Sequence, residues 1–341
     1  MKKTYKRWLH QEQNHCKEVT VEQKTIGRGH KYVVSGFNKD YDGVQMPSVT
    51  GITGATDGSG TSPIARWQVK HALGYILEKK VPISKAIYDE LLASKEELLN
   101  LNSFTDKQEL AGWIIQRYED EVTTTLVEAK GIPDQVLKKA GNRGTRIHNA
   151  VEAYLTGNTT SLDHKVYSAE TIKIHADQWQ SHLTDEDSTE SLKVCFEKIE
   201  SWIAEMGFKI KGTELPVFHT DLAVGGAIDI VLSNEDNTIY VCDFKTGSNI
   251  YFKDALQVSA YIACIASMIG NGIDIWSGYK DQMHHRVDEL QLGGAVIHID
   301  EEHEKVSINH LPEQLIGGQA FLHATLLYEA QKYSKYHSVK L

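Results

Sequence analysis

The chain has 341 residues, with 36 Lys and Arg against 46 Asp and Glu, a formal charge of −10 with histidines neutral. That length predicts one large domain or two small ones, and 41% hydrophobic with 24% charged residues excludes a disordered or low-complexity chain. No run approaches the roughly 20 apolar residues of a bilayer crossing, and Met1 to Lys6 leads straight into polar sequence, so the expectation is a soluble, intracellular protein without a membrane partner. Cys16, Cys195, Cys242 and Cys264 lack CxxC spacing, which predicts reduced thiols rather than a disulfide frame, a zinc site or an iron–sulfur cluster. Net acidity argues against nucleic acid unless a metal or a local basic stripe supplies the attraction, so local charge decides.

From Lys31 to Thr50 the pattern predicts two short strands around an Asn/Asp/Gly turn, a hairpin opening the fold, then Pro47 and Ser48 as a helix cap. Gly54 to Ser62 reads as a loop, and Pro63 suits a first helical position before IARWQVKHALGYILEK, with further helices over Ser84–Leu101 and Asp106–Lys130. After Pro133 the sequence predicts a short helix, a glycine loop at Gly141 and Gly144, and a second helix from about Thr145. A polar stretch, Thr156 to Asp187, leads to a helix over Glu190–Met206 and three strands, Lys209–Phe218, Leu222–Leu232 and Thr238–Thr246. A helix over Asp254–Ile269, a strand over Gly294–Ile299 and a long helix over Glu313–Tyr333 complete the chain, with a division expected near residue 140.

The run LAVGGAIDIVLSNEDNTIYVCDFKTG carries most of the chemistry. Turn formers from Ser233 to Asn237 predict an antiparallel hairpin, and a turn centred on Asp236 pairs 233 with 239, 231 with 241, and 229 with 243. Asp229 then opposes Asp243, a destabilising like-charge pair unless neutralised, for which a divalent cation suits. Period-two alternation puts Ile239, Val241, Asp243 and Lys245 on one face, with Tyr240, Cys242 and Phe244 on the other. An isolated DxK is usually a surface ion pair, but the apolar neighbours on both strands indicate burial, where carboxylates need partners. Two aspartates suit Mg²⁺ or Mn²⁺, and an adjacent lysine can orient or deprotonate a water and steady a pentavalent phosphate.

A basic stretch precedes this hairpin. Lys138, Lys139, Arg143 and Arg146 surround Gly141 and Gly144, and a helix beginning at Thr145 would offer backbone N–H groups to a phosphate. His148 and Glu152 are spaced i,i+4 on one helix face, although a lone helix histidine is usually structural.

GTRIH at 144–148, Glu214, GGAID ending at Asp229, DFK at 243–245 and QVSAY at 257–261 occur in the order and approximate spacing of RecB-type nucleases. The sequence resembles the PD-(D/E)xK superfamily. PSVT at 47–50 with ARW at 65–67 is similar to the mitochondrial genome maintenance exonuclease and its phage and bacterial relatives. The resemblance implies an α/β fold, with a central mixed sheet flanked by helices and a largely helical amino-terminal region over 1–140. It implies His148, Asp229, Asp243 and the Phe244 carbonyl as metal ligands, Lys245 as the catalytic lysine, and Gln257 with Tyr261 as a QxxxY element beside the active site.

Glu214 reads as an outer or second-metal carboxylate or equally as a strand-end surface acid, and Tyr261 has core packing as its lesser alternative. Ser48, Thr145, Arg66, Trp67 and Lys70 join the nucleic-acid contacts, Trp67 with helix packing as its alternative. The function implied is a Mg²⁺- or Mn²⁺-dependent DNA exonuclease of replication, recombination or repair, cytoplasmic in a bacterial or phage-infected cell. A single-strand-binding, helicase or recombination protein would be its partner. An endonuclease of the same fold and an inactive nucleic-acid-binding protein are the alternatives. No cysteine follows Cys264, so the branch with an iron–sulfur cluster is disfavoured.

Overall fold

The computed structural model describes residues 2–11, 15–26, 29–37, 42–53, 104–157, 173–175, 178–234, 238–273, 275 and 291–326. The helices expected at Pro63–Lys79 and Ser84–Leu101 lie outside the described residues, as do Arg66, Trp67 and Lys70. One compact unit joins residues 1–57 to 144–341, and a second holds 58–143. The first 57 residues thus differ from the expected single division near 140. They fold with the carboxy-terminal unit because Tyr32, Val34, Met46, Val49 and Ile52 share a buried cluster with Val224, Ile228 and Tyr261.

The amino-terminal sheet is antiparallel, in the order β1 (Lys2–Gln11), β2 (His15–Ile26), β3 (Gly29–Ser35) and β4 (Gln45–Pro47). The expected hairpin is β3 with β4, where Tyr32 pairs with Met46, and Gly43 at φ 75° with Asp42 makes its turn. Two unpredicted strands, β1 and β2, precede it. In β2 the central apolar signal is the pair Val19 and Val21, buried between polar neighbours, and it registers as a strand once β1 and β3 pair on either side. Ser48 caps α1 (Val49–Thr53) as expected, its Oγ accepting from Gly51 N at 3.1 Å, and its backbone bridges to Gly225.

Helix α2 runs unbroken over Phe104–Gly157, with Pro133 inside it. The expected glycine loop and second helix start at Thr145 are therefore incorrect. Glycine costs about 1 kcal/mol per helical position, which weakens a helix without ending it. Burial of Ile147, Ala150, Val151 and Leu155 outweighs that cost. Because Gly141 and Gly144 lie in the helix interior, no helix N-terminus stands there to receive a phosphate.

A 3₁₀ turn at Trp179–His182 leads to α3 (Thr189–Glu205), capped by Ser188. The second sheet has five strands in sequential order: β5 (Lys209–His219), β6 (Val224–Ser233), β7 (Thr238–Lys245), β8 (Gln291–Asp300) and β9 (Lys305–His310). Only β7 and β8 are parallel, joined through α4 (Phe252–Gly270). A mixed sheet with helices on both faces is the expected fold class. One face carries Val231, Val241 and Val296 against α4 and the amino-terminal sheet. The other carries Leu232, Phe244 and Ile297 against α3 and residues 147–155 of α2.

By length and composition α4 could cross a membrane, but Leu256, Val258, Ile262 and Ile265 are buried on the sheet, so it is a core helix. Strand β9 was not predicted. The long last helix is interrupted: α5 (Glu313–Ile316) stops at Gly317–Gly318, where Gly318 has φ 71°, before helix resumes over 319–326. Cys195, Cys242 and Cys264 are free and buried.

Arg146 was expected at a phosphate, but its Nε and Nη2 bind Asp187 Oδ2 and Oδ1 at 2.9 and 3.1 Å. Asp187 also accepts from Thr184 N and Oγ1, each at 3.0 Å. Burial tends to raise the Asp187 pKa, but Arg146 and Thr184 hold it below the ordinary carboxylate value. A carboxylate with a depressed folded pKa contributes stability that is present above its unfolded pKa of about 4 and is lost as pH falls through the folded value. Asp187→Asn is therefore expected to lower the melting temperature at pH 7, with the difference from the parent shrinking below about pH 4 in calorimetric melts.

Candidate active site

The β6–β7 hairpin has the predicted register. Ser233 pairs with Ile239, Val231 with Val241 and Ile230 with Cys242; turn residues 235–237 lie outside the described residues. Face assignment also follows prediction, with Ile239 and Val241 in one core and Cys242 and Phe244 in the other. Beyond Ile230 the regular ladder ends. Asp229 does not simply face Asp243 across it; its Oδ2 accepts the Phe244 N–H at 2.7 Å. On the other side, Thr213–Ile230 and Leu215–Ile228 pair but the position between them is skipped, and Glu214 there has φ 46°. Asp229 thus leaves both ladders, and its carboxylate reaches the end of β7.

Asp243 is only 1% exposed. Its Oδ1 accepts from Gln257 Nε2 at 2.9 Å, and its Oδ2, buried, forms an ion pair with Lys245 Nζ. Lys245 Nζ also donates to Gln257 Oε1 at 3.3 Å. Gln257 Nε2 lies 2.9 Å from the Tyr261 hydroxyl as well. Gln257 and Tyr261 therefore reach the site together, one helical turn apart on α4. His148 approaches from α2, its Nδ1 3.5 Å from Asp229 Oδ2 and its ring edge-on to Phe244. The structure thus assembles His148, Asp229, Asp243, Phe244, Lys245, Gln257 and Tyr261, carried by α2, β6, β7 and α4, at the carboxyl end of β7.

Burial raises the Asp229 pKa well above the carboxylate norm, reinforced by Asp243 and opposed by Lys245. Burial also lowers His148 to about 4, leaving a neutral imidazole at neutral pH. It works against the Lys245 ammonium too, but Asp243 and Asp229 more than offset it and hold the amine above its ordinary value. Tyr261 is raised well above normal by burial and the two aspartates, so it remains a phenol.

Among the described residues, no three His, Cys, Asp or Glu side chains already form a metal cage. The donor chemistry nevertheless fits a hard divalent cation: two carboxylates, a neutral imidazole and a backbone carbonyl. A buried oxygen of Asp243 balanced only by an ammonium fits it as well. Glu214 contributes to the negative field on Asp229 and is half-buried. Glu152 is also half-buried on α2.

Lys138, Lys139 and Arg143 belong to the other compact unit, and Thr145 is exposed on α2. Ser48 serves as a cap and Arg146 is held by Asp187.

Sequence reasoning missed Tyr32 and Asp254. A Cβ at Gly225 would meet the Tyr32 side chain at 2.8 Å, and one at Gly226 would meet Tyr261 Cε1 at 2.5 Å. The GG of GGAID therefore lets two tyrosine rings lie against the β6 backbone. Gly226→Ala is expected to displace Tyr261 and destabilise the fold by about 1–3 kcal/mol, read as a lower urea midpoint. Asp254 is buried one turn before Gln257, and its Oδ2 accepts Tyr251 N at 2.8 Å. The signal for it was an acid at the third position of a helix.

No curated protein matches the chain. The family model of the PD-(D/E)XK nuclease superfamily matches residues 117–304, which include every side chain of the cluster around Asp243. With more than half its length matched and the acidic strand pair, lysine and glutamine assembled, the chain belongs to the PD-(D/E)XK nuclease superfamily.

Proposed function

We propose that the protein is a divalent-metal-dependent deoxyribonuclease of RecB type that acts from free DNA ends. One observation carries this reading: a buried Asp243 held by Lys245 and Gln257, with Asp229 and His148 beside it. Superfamily members generally use divalent metals such as Mg²⁺. His148, Asp229, Asp243 and the Phe244 carbonyl oxygen would hold the ion, Mg²⁺ or Mn²⁺. When bound, it polarises a phosphoryl oxygen and offsets the acidic pair.

Lys245 orients a water in line with the phosphorus and lends positive charge to the equatorial oxygens. Water oxygen bonds to phosphorus as the bond to the 3′ oxygen breaks, and that oxygen leaves with a proton to give a 5′-phosphate. Gln257 keeps the amine directed by accepting from Nζ while binding Asp243. Action from ends, in recombination or repair beside a helicase or single-strand-binding protein, is supported by the resemblance of GTRIH, DFK and QVSAY to RecB-type exonucleases.

The test uses end-labelled linear DNA and covalently closed circles with Mg²⁺ or Mn²⁺. Linear DNA should be degraded, circles spared, and EDTA should stop the reaction. Rapid loss of circles favours an endonuclease instead, and activity unchanged in EDTA overturns metal dependence.

A further inference from the structure

Residues 246–251 carry the chain from the end of β7 into α4, and two aromatic side chains stand out of the surface where that loop ends. Tyr251 is 49% and Phe252 64% exposed, and neither belongs to a hydrophobic cluster. Lys253 Nζ stands 5.5 Å from the Tyr251 ring centroid, over the ring. The backbone beneath is firmly held. Tyr251 N–H donates to Asp254 Oδ2 at 2.8 Å, and Asp254 N–H donates to Tyr251 O at 2.9 Å. His298 on β8 contacts Gly247 O at 2.5 Å, which anchors the start of the loop.

This turn is continuous with the active site. Tyr251 lies six residues beyond Lys245, the buried Asp254 carboxylate acts on the Lys245 ammonium, and Gln257 follows Asp254 by one turn. Two water-exposed rings and an ammonium on a fixed backbone make a surface with flat apolar faces and positive charge. Unpaired nucleobases on a phosphate backbone match both properties, since every base offers a π-face.

We propose that Tyr251 and Phe252, assisted by Lys253, form a stacking platform for unpaired nucleobases of the strand whose phosphate occupies the Asp229–Asp243–Lys245 site. The assignment rests on the nuclease reading above and adds a substrate class: single strands or frayed ends, because paired bases already stack on one another.

The test is fluorescence anisotropy of the full chain in EDTA, with a short dye-labelled single-stranded oligodeoxynucleotide and its counterpart carrying abasic sites. Tyr251→Ala with Phe252→Ala, and Tyr251→Leu with Phe252→Leu, are compared with the parent after circular dichroism melts. The leucine pair keeps apolar bulk and removes the π-faces. Both double variants should bind the base-containing strand roughly 10- to 100-fold more weakly, while the abasic strand binds all three proteins alike.

Equal binding of the base-containing strand by all three proteins overturns the platform, as does parent-like binding by the leucine pair or failure of the parent to bind. So does an alanine pair that breaks a dimer in sedimentation while strand binding is unchanged, which would assign the rings to a second copy. Base-dependent binding by a parent that never cleaves the strand supports the platform and rejects the nuclease reading, so the two fail separately.

Discussion

Asp243→Asn is expected to slow phosphodiester cleavage by at least about 10³-fold at saturating DNA and metal, a barrier rise of about 4 kcal/mol. The substitution preserves shape, and the new amide oxygen can still accept from Gln257 Nε2, so the fold should persist. It removes the charge that holds Lys245 and places an amide N–H₂ against the ammonium. It also removes one of the two carboxylates proposed above to hold the divalent cation. Lys245→Ala should cause a loss of the same order through the other half of the ion pair. Single-turnover cleavage of end-labelled DNA checks both, and parental rates in either variant would show that the reacting centre lies elsewhere.

The second large effect is expected at Gln257. Gln257→Leu matches the side chain in volume but leaves Asp243 Oδ1 without its partner in a site where Asp243 is 1% exposed, and it deprives Lys245 Nζ and the Tyr261 hydroxyl of their contacts. Loss of hydrogen bonds to a buried carboxylate costs about 1–3 kcal/mol, so the melting temperature should fall. Cleavage should fall by roughly 10²-fold in kcat, with KM for DNA little changed, because Gln257 directs the amine and carboxylate rather than holding distant parts of the strand. A rise in KM alone would instead place Gln257 in substrate binding.

Legibility differed between the two halves of the site. The hairpin could be read because alternation in GGAIDIVLS and TIYVCDFK, joined by a turn-rich centre, leaves one register that keeps both apolar sets buried. The i,i+4 spacing of Gln257 and Tyr261 was legible for a similar reason: a helix periodicity needs no partner to be recognised. The departure of Asp229 from regular pairing was not legible, since alternation encodes neither its bond to the Phe244 N–H nor the positive φ of Glu214 on the neighbouring strand.

The stretch around Gly141 and Gly144 was misread for want of tertiary context. Two glycines among lysines and arginines resemble a loop, and only the burial of Ile147, Ala150 and Leu155 shows why the helix continues through them. Gly144 has a role as well: a Cβ there would meet Thr246 Oγ1 at 3.4 Å, so the helix runs close to the residue following Lys245. Arg146 was read as a phosphate ligand because its partner, Asp187, stands 41 residues away.

Local pattern therefore determined β5 to β8, α3 and α4, the side-chain faces of β7, and the hairpin that carries Asp229, Asp243 and Lys245. Tertiary structure decided which charges were already satisfied, that the amino-terminal sheet belongs to the same unit as the acidic pair, and that Tyr32 and Tyr261 lie on the paired glycines of β6. The reason is physical. Periodicity is a property of neighbours along the chain, whereas neutralisation and close packing depend on residues that only folding brings into contact.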